Sequence, residues 1–476
     1  MTLRLKRYPA YRDCGIPWLG LIPEHWEVRG NGRLFDRRQQ PGSPQLPLLE
    51  VSLKTGVRVR MMDGSGRKQA MADRAGYQRA NAGDIAYNMM RMWQGALGIV
   101  PEDGLVSPAY VVALPRPEVD AGFYAYLFRT GAYMDEVDNY SRGIVKDRNR
   151  LYWVDFKRMP SVFPPTGEQQ QISAFLGYFD RRINCLIRSK RRLIGLLEDQ
   201  KQVIIHRAVT RGLDANVSLK PSGFNWLGDV PEHWQIRRLK TLLQRIDQGV
   251  SPQAEGTLAG QQEWGVLKAG CVNHGVFRDT EHKRLPDEFY FDQSLAVARG
   301  DVLVSRASGS PKLVGSVAKI DRLRYQLILS DKTFRLVFKD RRLIDFAVAT
   351  MQSPIFRLQI EQAISGAEGL ANNLPISSLR AFRLPVPPVE EAEQIAAHLT
   401  NEMNSATRAG AHAEREICLL QEYRTRVVAD VVTGQLDVRG VSLPPLPESD
   451  AADPEAELDD ADDADLLEAA EALDEE

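Results

Sequence analysis

The chain writes one tryptophan-rich phrase twice. "GIPWLGLIPEHW" occupies residues 15–26 and "GFNWLGDVPEHW" residues 223–234, so both copies keep G-x-x-W-L-G-x-x-P-E-H-W at an offset of 208. Further pairs follow at an offset of 223: "PPTGEQQQI" (164–172) with "PPVEEAEQI" (387–395), and "VTRGLD" (209–214) with "VTGQLD" (432–437). Weaker matches lie between: residues 82–100 answer 299–317, and 141–159 answer 364–382. A repeat of this length makes the chain two copies of one structural unit, and any fold must honour that.

Each unit reads as a PEHW lead-in, a middle of mixed strands and short helices, a Pro-Pro, a long helix, and V-T-x-x-L-D. The offset grows by 15 residues across the middle, so the frames agree and the middles diverge. The expected fold is α+β: two mixed α/β domains separated by two long helices forming an antiparallel coiled coil, an internal pseudo-two-fold repeat. The expected divisions are a first domain over 1–163, a first spacer-helix region over 164–214, a second domain over 215–386, a second spacer-helix region over 387–440, and a tail over 441–476.

The helices carry a seam. From Ile172 a 4-3 stride visits Leu176, Phe179, Ile183, Leu186, Lys190, Leu193, Leu197, Gln200 and Ile204, mostly apolar, as in a coiled coil. The stretch 168–206 would extend ~58 Å as a helix. In the second copy the stride visits Ile395, Leu399, Glu402, Ala406, Ala409, Ala413, Glu416, Leu420, Tyr423 and Val427. Large residues facing small ones suit close packing of two helices. In the middles, "GDIAYNM" and "GDVLVSR" read as turns into strands, and "VSPAYVVAL" and "LSDKTFRLVF" alternate as strands. "FYAYLFRTGAYMDEV" and "DFAVATMQSPIFRLQI" read as helical.

The formal net charge of −2 hides an asymmetry. Residues 441–476 hold 15 Asp and Glu and no Lys or Arg; setting those aside leaves 48 acidic against 61 basic side chains, a body of net +13. Such a body suits a phosphate backbone. The acidic tail reads as disordered, or as a phosphate mimic competing for that body. Cys14, Cys185, Cys271 and Cys418 show no C-x-x-C spacing, so no zinc or disulfide framework is expected, and a reducing cytoplasm is. No apolar run is long enough for a membrane span, and the N-terminus lacks a signal-peptide core.

Chemistry-bearing motifs are missing. The sequence has no N-P-P-Y or D-P-P-Y, no Gly-rich cofactor loop and no G-x-x-x-x-G-K-[ST]. His25 and His233 are tied to the repeated PEHW, where a structural role outweighs a metal or catalytic one. Trp18, Trp26, Trp226 and Trp234 read as core anchors.

The doubled G-x-x-W-L-G-x-x-P-E-H-W, the P-P-x-x-E-Q-x-x-I opening a long helix and the two variable middles resemble the specificity (S) subunit of type I restriction-modification enzymes, over about residues 1–440. The resemblance implies that each middle reads one half of a split site in double-stranded DNA. It implies that the paired helices space the domains, and that the chain does no chemistry itself. The implied partners are two methyltransferase subunits and the restriction (translocase/nuclease) subunits; AdoMet, ATP and Mg would sit on those, with no cofactor here. Two features depart from the family pattern: Gly30 and Gly32 after the first PEHW, which weaken a helix expected there, and the acidic tail.

Base reading wants Arg, Lys, Asn and Gln on loops near a groove. The first middle offers Arg91 and Gln94 in one loop and Arg142, Lys146, Arg148 and Arg150 in another; the second offers Arg306 and Lys312, then Asn372 and Asn373, at equivalent places. Lys54, Lys268 and Asn273 are further candidates. Each could meet a base edge or a phosphate. Two units on antiparallel helices could enter major grooves about one turn, ~34 Å, apart, and unlike middles imply an asymmetric, interrupted target. Two other readings stand beside this one: a self-contained DNA methyltransferase or nuclease, and a coiled-coil adaptor that binds no DNA.

Overall fold

The computed structural model describes residues 5–43, 45–53, 55–60, 76–143, 149–364 and 372–445. It divides into two compact units: one of residues 1–191 with 414–476, the other of 192–413. The chain therefore crosses from one unit to the other within each of its long helices, Thr166–Arg211 and Val389–Val432.

In the first unit, the segment after Trp26 forms strand Glu27–Gly30, antiparallel to Pro160–Phe163 just before the long helix. Between them lies a four-stranded antiparallel sheet in the spatial order Phe35–Arg37, Tyr110–Pro115, Ile85–Asn88, Leu97–Ile99. Three short helices, Ala121–Phe128, Gly131–Tyr140 and Trp153–Phe156, cover one face. Phe35, Tyr87, Phe123, Tyr124, Phe128, Tyr133 and Phe156 fill the space between, all fully buried. Gly83, with φ of +88°, makes the turn into the central strand that "GDI" predicts.

The second unit repeats this order. Its sheet runs Leu243–Gln248, Thr333–Phe338, Val302–Ser305, Val317–Lys319. Strand Gln235–Arg238 pairs with Arg383–Val386, and helices Ile344–Met351, Pro354–Ala363 and Ile376–Ala381 stand where the first unit has its three. It adds a second sheet, His282–Arg284, Trp264–Leu267 and Gln326–Ile328, in a mixed arrangement.

One carboxylate explains why PEHW recurs with P-P-x-x-E. In the first unit the Trp26 indole donates to Glu168 Oε1 over 3.1 Å, and His25 Nε2 lies 2.8 Å from Glu168 Oε2. In the second, Trp234 donates to Glu391 Oε1 over 3.1 Å and His233 Nε2 lies 2.7 Å from Glu391 Oε2. Both glutamates sit in the first turn of a long helix, where a negative charge is also favoured by the helix dipole. The motif thus pins the start of each unit to the start of its helix, which is the structural role expected for the histidines and tryptophans.

The V-T-x-x-L-D ends behave differently from the order read in sequence. In sequence each closes its own copy of the repeat; in the fold each packs on the other copy's PEHW lead-in. Gly434 lies so near the first lead-in that a Cβ would stand 2.4 Å from Pro23 Cδ and 3.0 Å from Trp26. Gln435 donates to the Leu21 carbonyl over 2.7 Å and Asp437 N–H to that of Lys6 over 2.7 Å. Gly212, at the end of the first helix, faces Trp234. Both glycines have φ above +70° and close their helices in the left-handed conformation.

The helices pair antiparallel inside each unit. In the first, Phe179 meets Tyr423 edge-on, Arg424 grips Asp180 with two bonds of 2.8 and 2.9 Å, and Lys190 pairs with Glu416 at 2.7 Å. In the second, Ile205, Ala208 and Val209 share a core with Ala392, Ile395 and Leu399. The seam departs from the expected stride. Ile172, Leu176, Phe179 and Ile183 are buried, but the line then moves to Ile187, while Leu186 and Leu193 are more than 40% exposed. On the other helix Met403 and Gly410 are more buried than Glu402 and Ala409. A straight helix drifts about 20° per heptad against a strict 3.5-residue stride, which moves the seam by one position.

At Gly30–Gly32 the expected helix shortens to a 3-10 turn, Asn31–Arg33, where the second unit has the α-turn Leu239–Leu242. A Cβ on Gly32 would stand 3.0 Å from the Lys157 side chain and 3.3 Å from its carbonyl. The glycine permits this approach, and the neighbouring Asn31 is buried in bonds to Tyr133 and Ser161.

Candidate nucleic-acid interface

In each unit the two sequence-flagged loops are brought together by one hydrogen bond at equivalent positions. Strands Ile85–Asn88 and Leu97–Ile99 form a hairpin; strands Val302–Ser305 and Val317–Lys319 form its counterpart. Leu151, closing the second loop of the first unit, donates its N–H to the Met89 carbonyl over 2.9 Å. Leu374 donates to the Arg306 carbonyl over 2.8 Å. Both leucines are fully buried and tie the described end of their segment to the hairpin.

The first unit presents Gln94 exposed and Arg91 half-buried on the hairpin turn Met92–Gln94. Arg142 and Arg150 face each other across the second loop, exchanging backbone bonds of 3.0 Å in both directions. Arg142 Nη2 also donates to Asp155 Oδ1 at 2.5 Å; Asp155 is buried, while the arginine side chain is 65% exposed. Lys54, Lys146 and Arg148 lie outside the described residues.

In the second unit, Lys312 is exposed on the turn Pro311–Leu313. Asn372 and Asn373 form a two-residue strand against Ser308 and Ala307, next to Arg306. The Arg306 guanidinium turns back, donating to the Asp331 carbonyl over 3.0 Å and lying over Phe334 at 5.9 Å. Lys268 precedes and Asn273 lies within the 3-10 segment Ala269–Gly275, which packs on the same hairpin; Lys268 stands 3.9 Å from Glu281.

Side chains that sequence reasoning passed over hold these loops. Arg357 donates to the carbonyls of Pro311, Lys312 and Val314, at 2.8, 3.2 and 2.6 Å, clamping the second hairpin turn. At the matching place the first unit has Met134, whose sulfur lies against Gly95, where a Cβ would be 3.1 Å away. Beside it, Arg129 donates to the Leu97 carbonyl over 2.6 Å, and burial pulls its pKa below the usual arginine value. The 223-residue offset is the one sequence signal that aligns Met134 with Arg357.

The described residues of the two sites place polar and cationic side chains on and beside the hairpins. Among the described residues no cluster of three or more His, Cys, Asp or Glu could hold a metal, and no helix is long and apolar enough to cross a membrane. Burial raises the Cys271 thiol to about 12, which suits an inert packing residue.

Two copies of one α+β unit, each offering a pair of loop segments and each built on segments of the same two antiparallel helices, define a duplicated α+β scaffold. No family profile matches the chain. It is 24% identical over 196 residues to the EcoEI specificity subunit, a type I restriction enzyme component of Escherichia coli, across 39% of this chain and 33% of that protein. It is 23% identical over 294 residues to the MjaVIII specificity subunit of Methanocaldococcus jannaschii, across 60% of this chain and 64% of that one. The chain thus spans between one third and just under two thirds of the length of these relatives. A solved structure described as concerning complex assembly and conformational transition of the type I R-M system shares the fold, with a TM-score of 0.58 at 16% identity over 87% of this chain and 99% of that chain. In sequence the chain is similar to type I restriction enzyme specificity subunits, and in fold to a chain of a type I R-M system structure.

Proposed function

We propose that the chain is the DNA-recognition subunit of a type I restriction-modification complex. Each unit reads one part of an asymmetric bipartite site, and the frame docks methyltransferase and restriction subunits. The observation that carries this reading is the duplicated pair of loops, joined by equivalent hydrogen bonds and filled with different polar residues. One frame with two unlike loop sets is what a split, non-palindromic target requires. Direct reading of base edges by Arg, Lys, Asn and Gln needs loops held in register, and the buried Leu151 and Leu374 supply that. The basic body would meet the phosphates. On this reading the chain is noncatalytic and works in the cytoplasm, and AdoMet, ATP and Mg act on the partner subunits.

Genome-wide mapping of modified bases in the host, with and without this gene, tests the proposal. A two-part modified motif that vanishes on deletion is the expected result. An unchanged methylome in a strain expressing the chain and its methyltransferase partner would refute it. Activity of the purified chain alone with AdoMet or Mg on DNA would favour the enzyme reading instead.

A further inference from the structure

Building on the proposed function, we infer that Arg142 reads a guanine in the half-site served by the first unit, with the buried Asp155 as its positioning residue. Four observations converge. The Arg142 backbone is held on both sides by its paired bonds to Arg150, so the side chain starts from a defined place. One corner of its guanidinium is tied to Asp155, which lies in the short helix Trp153–Phe156 and is itself buried. The remaining donors make no other hydrogen bond among the described residues, and most of the side chain is exposed. The pair stands at the rim of a hollow of about 310 Å³ lined by Arg37, Met89, Val111, Tyr152, Trp153 and Val154.

A guanidinium is a planar fork with five N–H donors. Anchoring one edge on a buried carboxylate limits its rotamers and leaves another edge directed outward. Guanine offers two acceptors, O6 and N7, on its major-groove edge, which a bidentate arginine matches. A phosphate needs only charge and tolerates a mobile lysine, so a dedicated buried carboxylate is the mark of a directional contact. The second unit has no counterpart: the aligned positions carry Ser365 and Ser378. The inferred guanine contact therefore belongs to one half-site only.

The test is selection from a randomised duplex library by the full chain co-assembled with its methyltransferase partner, using wild type, Arg142→Ala, Arg142→Lys and Asp155→Asn. Wild type should select a guanine at one position. Both arginine variants should lose that preference by on the order of ten- to a hundredfold, with the other positions unchanged. Asp155→Asn should relax the same position while nonspecific affinity and the salt slope hold. A uniform loss across all sequences, with the salt slope reduced by about one, would make Arg142 a phosphate contact and overturn the inference. An unchanged base profile would make the pair purely structural and also overturn it. A wild-type complex that selects no bipartite motif sinks the proposed function; a motif indifferent to all three variants sinks only this inference.

Discussion

The two units share one clamp but load it unequally. In the first, Glu168 takes bonds from Trp26 and His25 and a third from the Tyr8 hydroxyl at 2.6 Å, and it is 6% exposed. In the second, Glu391 bonds the tryptophan and histidine and, among the described residues, no third side chain, and it is 27% exposed. The closing glycines follow suit: a Cβ on Gly434 would stand 2.4 Å from Pro23 and 3.0 Å from Trp26, whereas one on Gly212 would stand 3.1 Å from Glu391 Oε1 and 3.4 Å from Trp234. The first unit is assembled from both ends of the chain, residues 1–191 and 414–476, and the second from one continuous stretch. A unit closed by its own continuous chain needs less from its clamp than one whose closing segment arrives from the far terminus. That difference accounts for the third bond and the tighter glycine.

The comparison can be broken by paired substitutions. Glu168→Ala should show the largest effect, roughly 4 kcal/mol, because it strands the buried Trp26 and Tyr8 donors; Glu391→Ala should cost roughly 2 kcal/mol. Denaturant unfolding of the two variants measures both, and equal losses would end the argument. Gly434→Ala should come next at roughly 3 kcal/mol, combining left-handed strain with overpacking against Pro23 and Trp26, against about 1–2 kcal/mol for Gly212→Ala, which adds to the strain only a milder close approach, 3.1 Å, to the Glu391 carboxylate. A smaller contrast lies under the hairpins. Arg357→Ala removes three bonds to the 311–314 carbonyls and should speed amide exchange across that turn in the second unit, at a stability cost of about 1–2 kcal/mol. Met134→Ala should leave the 92–95 turn of the first unit nearly as protected as in wild type, since Arg129 still holds Leu97.

The smallest effect is on acid stability. Asp437 in the first unit and Asp279 in the second are both held below the usual carboxylate pKa, chiefly by side-chain hydrogen bonds from Arg439 and Arg324. A lowered folded pKa adds stability above the unfolded carboxylate value, and that stability is lost as pH falls through the folded one. Asp437→Asn and Asp279→Asn should each flatten the melting temperature between neutral pH and about pH 3, and converge with wild type below it. A steeper pH dependence in either variant would contradict the assignment.

Much of this architecture was legible because it is local or repeated. The "GDI" and "GDV" turns, the hairpin strands and the paired loops follow from glycine placement, alternation and the repeat, whose offset is 217 residues at the hairpins and 223 at the second loops. The clamp was half visible: PEHW and P-P-x-x-E each recur, but nothing in a linear pattern says that Glu168 lies on Trp26. The swap of the V-T-x-x-L-D ends was invisible for a sharper reason. Both copies match both lead-ins equally well, so sequence order alone cannot say which end closes which unit. The seam was misplaced at Leu186 and Leu193 because a fixed 4-3 stride ignores the drift of a straight helix. At the candidate site the sequence suggests the loops but not the side chains that hold them, since Arg357 and Asp155 act through contacts 43 and 13 residues away in sequence. Arg306 illustrates the limit: a loop arginine by sequence, it spends its guanidinium on Asp331 and Phe334.

The central claim is that the two units carry separate reading surfaces on a common frame. Methylome mapping of a host expressing a chain with Lys312→Ala and Asn372→Ala, both confined to the second unit, tests it most directly. The account predicts that one half of the bipartite motif relaxes while the other half and the spacer between them stay unchanged. Relaxation of both halves together, or a shift in the spacer, would contradict it.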